Sequence, residues 1–509
     1  MSKTHTRSQK QLITLIVCAA LFAILLPVYL IFVQPLLQTE STKIEPPVPM
    51  EGEALSGNEL LMFEHVERAD ILSLEVHNEH GSFTFYRGEK DVFYIRGMEG
   101  APIDQNAFSA LVVSAGFTLV TRLDDPNPDL SVYGLGEEDN PARYVLTKMD
   151  GTKHTVFIGD MRPDDGGYYA MYQGRDTVYT LDTSPKDTLL ADVYSLITPS
   201  LSLPLSTSTY SLVDDFVVMK NGKTLVAIDR LTAEEADKGE GLIDYVFKYP
   251  EKYTPNLENY GALLEQIGAL VGLETVACGS DLEDLDAAMM KQTYGLDIEN
   301  PYFLVSYSLG ELDAGLVFSP PDEDGMMYVY TTVYNLVAKI DRASTGFISW
   351  GLLQYVDPPL FSEYINDMAK IEIAGTLADG EESLSVDASF ILEGEGESLV
   401  IRHSGSTKPY DADGAKNFRQ LFKVMLSLRL QDYADVTDTA AMTPLAVMRV
   451  TDDDGETTEY KFYAYSTRRC FYTVNGVGEF YLLRDQVEKL LRDTDRMLNG
   501  LPIDSEAKT

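Results

Sequence analysis

Two histidines three residues apart, His77 and His80 in the stretch HNEHG, are the first candidates for chemistry. Imidazoles at that spacing in a turn could give a metal two ligands, but a zinc site needs three or four that converge. No HExxH helix accompanies them, and His65 is too loosely spaced to complete a set. Asp125, Asn127 and Asp129 alternate like a calcium loop, yet Leu130 stands where such a loop needs glycine and Gly136 where it needs glutamate. The acidic stretches TDDDGE around Asp452 and PPDEDG around Asp322 read as solvated turns.

Nucleophilic chemistry finds no better footing. G-x-S-x-G is absent, and neither Cys278 nor Cys470 has a histidine nearby in sequence. No phosphate-binding or dinucleotide fingerprint occurs, so neither ATP nor NAD has a visible place. The sequence therefore assigns no catalytic residue, cofactor or metal. With 80 Asp and Glu residues, carboxylate pairs of the kind that hydrolyse glycans remain open, because such pairs assemble only in three dimensions.

The elements that would position any site are more legible. Lys3, Arg7 and Lys10 precede Leu12–Val33, a run of 22 residues with no charge. At 1.5 Å per residue it would reach about 33 Å, enough for a bilayer core. The three cations place the N-terminal side in the cytoplasm and the bulk of the chain outside the cell membrane. Taking their +3 from the net charge of −40 leaves −43 for the remainder, a balance that repels nucleic acid. Cys278 and Cys470 alone lie beyond the apolar run, too few for a disulfide scaffold, and whether they pair stays open.

The expected organisation is a cytoplasmic tail over 1–11, a transmembrane helix over 12–33 and an acidic, proline-rich stalk over 34–66. A first domain follows over 67–200, a second over 207–352, a degenerate third over 366–499, and a flexible tail over 500–509. Hairpin signals dominate each unit. ILSLEVH and SFTFYR flank a turn ending at Gly81, and DFVVMK and TLVAIDR flank Asn221-Gly222. Helices are expected from Asp104 to Val120, after Asn256, from Asp413 to Leu428 and from Asp485 to Leu498, with another beginning near Pro185.

Tyr133-Gly134-Leu135 and Tyr294-Gly295-Leu296 stand at the same place in the first two units. Glycine permits a left-handed turn while Tyr and Leu pack inward, so the motif is expected to set the turn into each central hairpin. The hairpin glycines are Gly151, Gly310 and Gly455. They precede aromatic residues of a later strand, Tyr169, Tyr328 and Tyr472, by 18, 18 and 17 residues. Three agreeing registers predict a tandem unit of about 140–150 residues. The fold class expected is α+β: an N-terminal transmembrane helix, then tandem domains of mostly antiparallel sheet with flanking helices.

The Tyr-Gly-Leu step, the strand–turn–strand ending IGD, and the pair YYAMY and TVYTLD resemble the domain of unknown function 4340 family. The resemblance is good over Ile71–Ser200, fair over the second unit, and faint over the third, which lacks Tyr-Gly-Leu. It implies a bacterial, membrane-anchored protein facing outward. It also implies company, since some members are associated with ABC-type transporters, gliding-motility auxiliary components among them. It brings no catalytic residues. The function expected is a non-enzymatic binding or scaffold module, with the lipid bilayer (through 12–33) and membrane-transporter subunits as partners. A cation- or ligand-sensing ectodomain and an envelope hydrolase are the alternatives.

Overall fold

The computed structural model describes residues 46–506 except 165, 207, 233–244, 252, 362, 380, 381, 395 and 437. They form three sheets. The first contains β1 (Ala54–Ser56), β2 (Glu59–Leu61), β3 (Ile71–Asn78), β4 (Gly81–Arg87) and β5 (Phe93–Ile95). It continues with β6 (Leu119–Arg122), β7 (Ala142–Lys148), β8 (Lys153–Met161), β9 (Tyr168–Tyr172) and β10 (Val178–Leu181). The second contains β11 (Val213–Lys220), β12 (Lys223–Arg230), β13 (Tyr245–Tyr249), β14 (Glu274–Cys278), β15 (Phe303–Leu309), β16 (Leu312–Phe318), β17 (Met326–Thr331) and β18 (Leu336–Asp341). The third contains β19 (Met368–Asp379), β20 (Glu382–Glu393), β21 (Val400–His403), β22 (Leu430–Tyr433), β23 (Pro444–Asp452), β24 (Thr457–Ala464), β25 (Arg469–Val474) and β26 (Phe480–Leu483).

The three share one strand order. The second runs β13-β12-β11-β15-β16-β17-β18-β14, and the third runs β21-β20-β19-β23-β24-β25-β26-β22. The first runs β5-β4-β3-β7-β8-β9-β10-β6 and then adds β2 and β1 at that edge. Neighbouring strands pair antiparallel, which suits a chain written as successive hairpins. Of the connections between strands that are not neighbours, those from β5 to β6, β13 to β14 and β21 to β22 carry a long helix: α1 (Gln105–Gly116), α2 (Leu257–Gly268) and α4 (Ala412–Leu426). A shorter α3 (Ala287–Tyr294) precedes β15, and α5 (Arg484–Leu498) follows β26.

Each crossover helix begins where a side chain caps it and ends once its apolar stripe is spent. Asp104 accepts from the amides of Asn106 and Ala107, Asn256 from Asn259, and Asp411 from Gly414. The stripes close the cores. Phe108 of α1 lies 4.8 Å from Phe85 and 5.0 Å from Phe93 between ring centres. Tyr260 of α2 stands 5.1 Å from Phe216, and Phe418 of α4 stands 5.0 Å from Phe390.

Several expectations are corrected. The described fold is mostly antiparallel β, with helices as crossovers and covers, in place of the α+β class expected. Among the described residues no helix is long and apolar enough to cross a membrane, and residues 12–33 lie outside those described. The stretch read as a stalk is folded from Ala54: β1 and β2 pair with each other and β2 with β6, and Leu60 to Phe63 are buried. No helix forms from Pro185. Turns occupy that stretch, with only a 3-10 turn at Val193–Leu196. The helix expected to reach Val120 stops at Gly116, and Leu119–Arg122 is strand β6.

The tail beyond residue 500 is held rather than flexible as far as it is described. Asn417 donates to the Leu501 carbonyl at 2.8 Å and accepts from the Ile503 amide at 2.7 Å, with Ile503 buried. The chain divides into two compact units. One holds the described residues through Arg96 together with Asp104–Val193; the other holds Gly97–Ile103 and everything from Tyr194 onward, including the second and third sheets.

A buried ion pair fastens the N-terminal stretch of the first unit. The Glu53 carboxylate, fully buried, receives Arg122 Nε at 3.0 Å, the Tyr179 hydroxyl at 2.8 Å and the Met50 amide at 2.6 Å. Burial alone would raise its pKa, but the bonds from Arg122, Met50 and Tyr179 outweigh burial and hold the carboxyl below its ordinary value.

Candidate functional site

A group of polar side chains surrounds one cavity in the first unit, on the side of the sheet away from α1. Tyr144 and Leu146 of β7 face the helix and are fully buried. Strand alternation turns Arg143 to the other side. There it pairs in register with His77 of β3, and both are half-buried. They share a cavity of about 820 Å³ with Asp139, Asp160 and Glu79, whose side chains are exposed, and with Ser82.

The wall of this cleft is the Tyr-Gly-Leu corner. Residues Leu130–Tyr133 make one 3-10 turn, ended by Gly134 in the left-handed region at φ 65°. Tyr133 then packs on Tyr169 with ring centres 4.8 Å apart, and Leu135 joins it beside Val178. The backbone runs so close to the end of β8 that a Cβ on Gly134 would sit 2.6 Å from the Asp160 carboxylate. A Cβ on Gly159 would likewise stand 2.2 Å from the Tyr133 carbonyl. The glycines of YGL and IGD are thus required by mutual approach.

The second sheet builds the same corner without a cleft of this character. Gly295 ends α3 at φ 68°, Tyr294 lies 5.5 Å from Tyr328, and Leu296 is buried. In place of Asp160 stands Ser319, buried, its hydroxyl accepting from the Tyr328 amide at 2.9 Å. In place of the pair His77 and Arg143 stand Met219 and Leu304, paired in the same register. Leu304 packs into the apolar cluster around Leu296 and Val317.

Residues 94–298 match the family model described as Domain of unknown function (DUF4340). Over those residues the chain is similar to the DUF4340 family, and the match supports its being a member. The DUF4340 match begins inside β5, later than the Ile71 expected from resemblance, and ends just past the second Tyr-Gly-Leu. It therefore contains both corners and the first IGD turn. No curated protein and no solved structure matches the chain.

The remaining residues singled out from sequence are scattered. Gly151, Gly310 and Gly455 occupy hairpin turns at φ 86°, 65° and 85°, each with open space where a Cβ would be. His80 is exposed in the β3–β4 turn and does not line the cleft with His77. His65 lies 5.1 Å from the Phe117 ring. Asp129 caps the 3-10 turn before Gly134, and Asn127 donates its amide to the Tyr133 hydroxyl, so that acidic stretch serves the corner. No set of three metal-ligating side chains converges among the described residues. Cys278 and Cys470 are free and buried, in β14 and β25, and burial pushes both thiols up to about 12.

His77 Nδ1 lies 2.6 Å from Ser82 Oγ, the reach of a nucleophile and its base. The two stand directly opposite in the β3–β4 hairpin, and no carboxylate bonds the other ring nitrogen among the described residues. No third member that would orient the imidazole, as in a catalytic triad, stands beside it among the described residues. Sequence reasoning passed over Arg143, Asp139 and Asp160. A signal was there. Arg143 follows Gly134 by the same nine residues that separate Leu304 from Gly295, and Asp160 follows Gly151 as Ser319 follows Gly310.

Proposed function

We propose that this chain is a non-enzymatic binding module whose ligand enters the cleft beside the first Tyr-Gly-Leu corner. One observation carries the reading. At equivalent places in one topology, the second sheet uses Met219, Leu304 and buried Ser319 to pack, while the first uses His77, Arg143 and exposed Asp160. Packing accounts for the former set. Half-buried ionisable groups contribute little to a fold, and a set of them gathered around one cavity points to a ligand. A cavity of about 820 Å³ falls within the range of small-molecule sites.

The test is a saturation-transfer NMR screen of the full chain against amino acids, dipeptides, dicarboxylates, inorganic phosphate and divalent cations. The variant His77→Met with Arg143→Leu is run beside it. At least one compound should bind the native chain and lose its signal with the variant. A panel that binds neither, or both equally, overturns the reading. The contact between Ser82 and His77 favours a second reading, hydrolysis of an ester or peptide in the envelope. Turnover of activated esters that Ser82→Ala abolishes would support it.

A further inference from the structure

We infer that the cleft takes a small zwitterion, a molecule carrying a carboxylate and an ammonium group, such as an amino acid or a short peptide. This rests on the binding-module reading and adds the chemical class.

Two charges in the cleft are left unspent among the described residues, Arg143 and Asp160. The chain has 80 acidic and 40 basic side chains apart from histidine, so an arginine easily finds an acid. Arg122 pairs with Glu53 and Arg87 with Asp91. Arg143, half-buried on the floor of the cleft, makes no ion pair among the described residues, although Glu79, Asp139 and Asp160 line the same cavity. Asp139 spends one oxygen on the Gly136 amide at 2.9 Å. Asp160, pressed against Gly134, has no hydrogen-bond partner among the described residues. Opposite charges that could reach one another would pair and quench. Here Arg143 pairs with none of the three carboxylates that line its cavity, among the described residues.

The sign pattern narrows the ligand. A guanidinium grips a carboxylate through two parallel hydrogen bonds, which selects a planar anion over a point charge. The carboxylates at the rim repel a second negative charge, so phosphate and dicarboxylates are disfavoured. The same carboxylates attract a cation, but the arginine on the floor repels a free metal ion. A molecule bearing both charges satisfies both ends: its carboxylate goes to Arg143 and its ammonium to Asp160, with Asp139 and Glu79 beside it. Tyr168, at the β8–β9 turn, borders the space between.

Calorimetry on the full chain tests this with L-alanine, L-alanyl-L-alanine, the N-acetyl dipeptide, the dipeptide amide and inorganic phosphate. The free dipeptide or the amino acid should bind, and blocking either terminus should weaken binding at least tenfold. Arg143→Leu should erase the difference between the acid and the amide, and Asp160→Asn the difference between the free and acetylated amine. Arg143→Lys, which keeps the charge without the fork, should retain part of the affinity and guards against a variant that fails to fold. L-alanine binding as tightly as the dipeptide identifies an amino-acid site; tighter dipeptide binding identifies a peptide site. Blocked compounds binding as well as the parent would overturn the zwitterion. So would phosphate, or another compound in the earlier panel, binding through Arg143 while the zwitterions do not, and in that case the binding module stands. Silence from every compound overturns both.

Discussion

Arg143 stands across from His77 on adjacent antiparallel strands, at the register that Leu304 and Met219 occupy in the second sheet. If these two basic side chains serve a ligand, the fold has no need of them. Replacing the two residues by Leu and Met should leave denaturant stability within about 1 kcal/mol of the native chain, or raise it, since apolar groups of similar volume pack without a desolvation cost. Urea unfolding of the double variant checks this, and a loss of several kcal/mol would make the pair structural.

Glu53 is the opposite case. Glu53→Gln leaves Arg122 beside Tyr179 without its counter-charge, and removing one partner of a buried pair costs about 3 kcal/mol. Hydrogen exchange should quicken first in Ala54–Leu61, which that carboxylate ties to β6. A native exchange pattern in the variant would refute this.

The same residue sets a pH dependence. Its folded pKa lies below the ordinary carboxylate value, so the unfolded chain binds the proton more readily. The stabilisation is complete above the unfolded pKa of about 4.3 and is lost as pH falls through the lower folded value. Acid titration followed by hydrogen exchange should release the N-terminal stretch below about pH 4. In Glu53→Gln that acid step should vanish.

Gly134 and Gly151 both have positive φ, yet alanine should be tolerated very differently. At Gly151 the added methyl meets open space and only the backbone cost of about 1 kcal/mol applies. At Gly134 it meets Asp160 at 2.6 Å, which adds a clash at the corner. Thermal unfolding should put Gly134→Ala clearly below Gly151→Ala, and equal midpoints would refute the close approach.

Cys278 and Cys470 should resist alkylation in the native chain, because buried thiols held near 12 carry almost no thiolate at neutral pH. Peptide mass spectrometry after brief iodoacetamide treatment should find both unmodified, and both modified in urea. Native labelling at either position would mean that its strand opens.

The sequence by itself determined the local grammar. Alternating apolar residues marked the hairpins, Asp104 and Asn256 marked helix starts, and the spacing from hairpin glycine to aromatic strand marked a recurring frame, because these signals act within a few residues of backbone. The tertiary structure alone decided which strands become neighbours. It placed the strand after each crossover helix beside the last strand of its sheet and drew Ala54–Leu61 into the first sheet through Glu53 and Arg122, contacts between residues 69 apart. It also decided the cleft. His77 precedes Arg143 by 66 residues and Asp160 follows it on the next strand, and only register and the left-handed corner at Gly134 bring them around one space. No local propensity encodes that convergence, since it arises from long-range pairing.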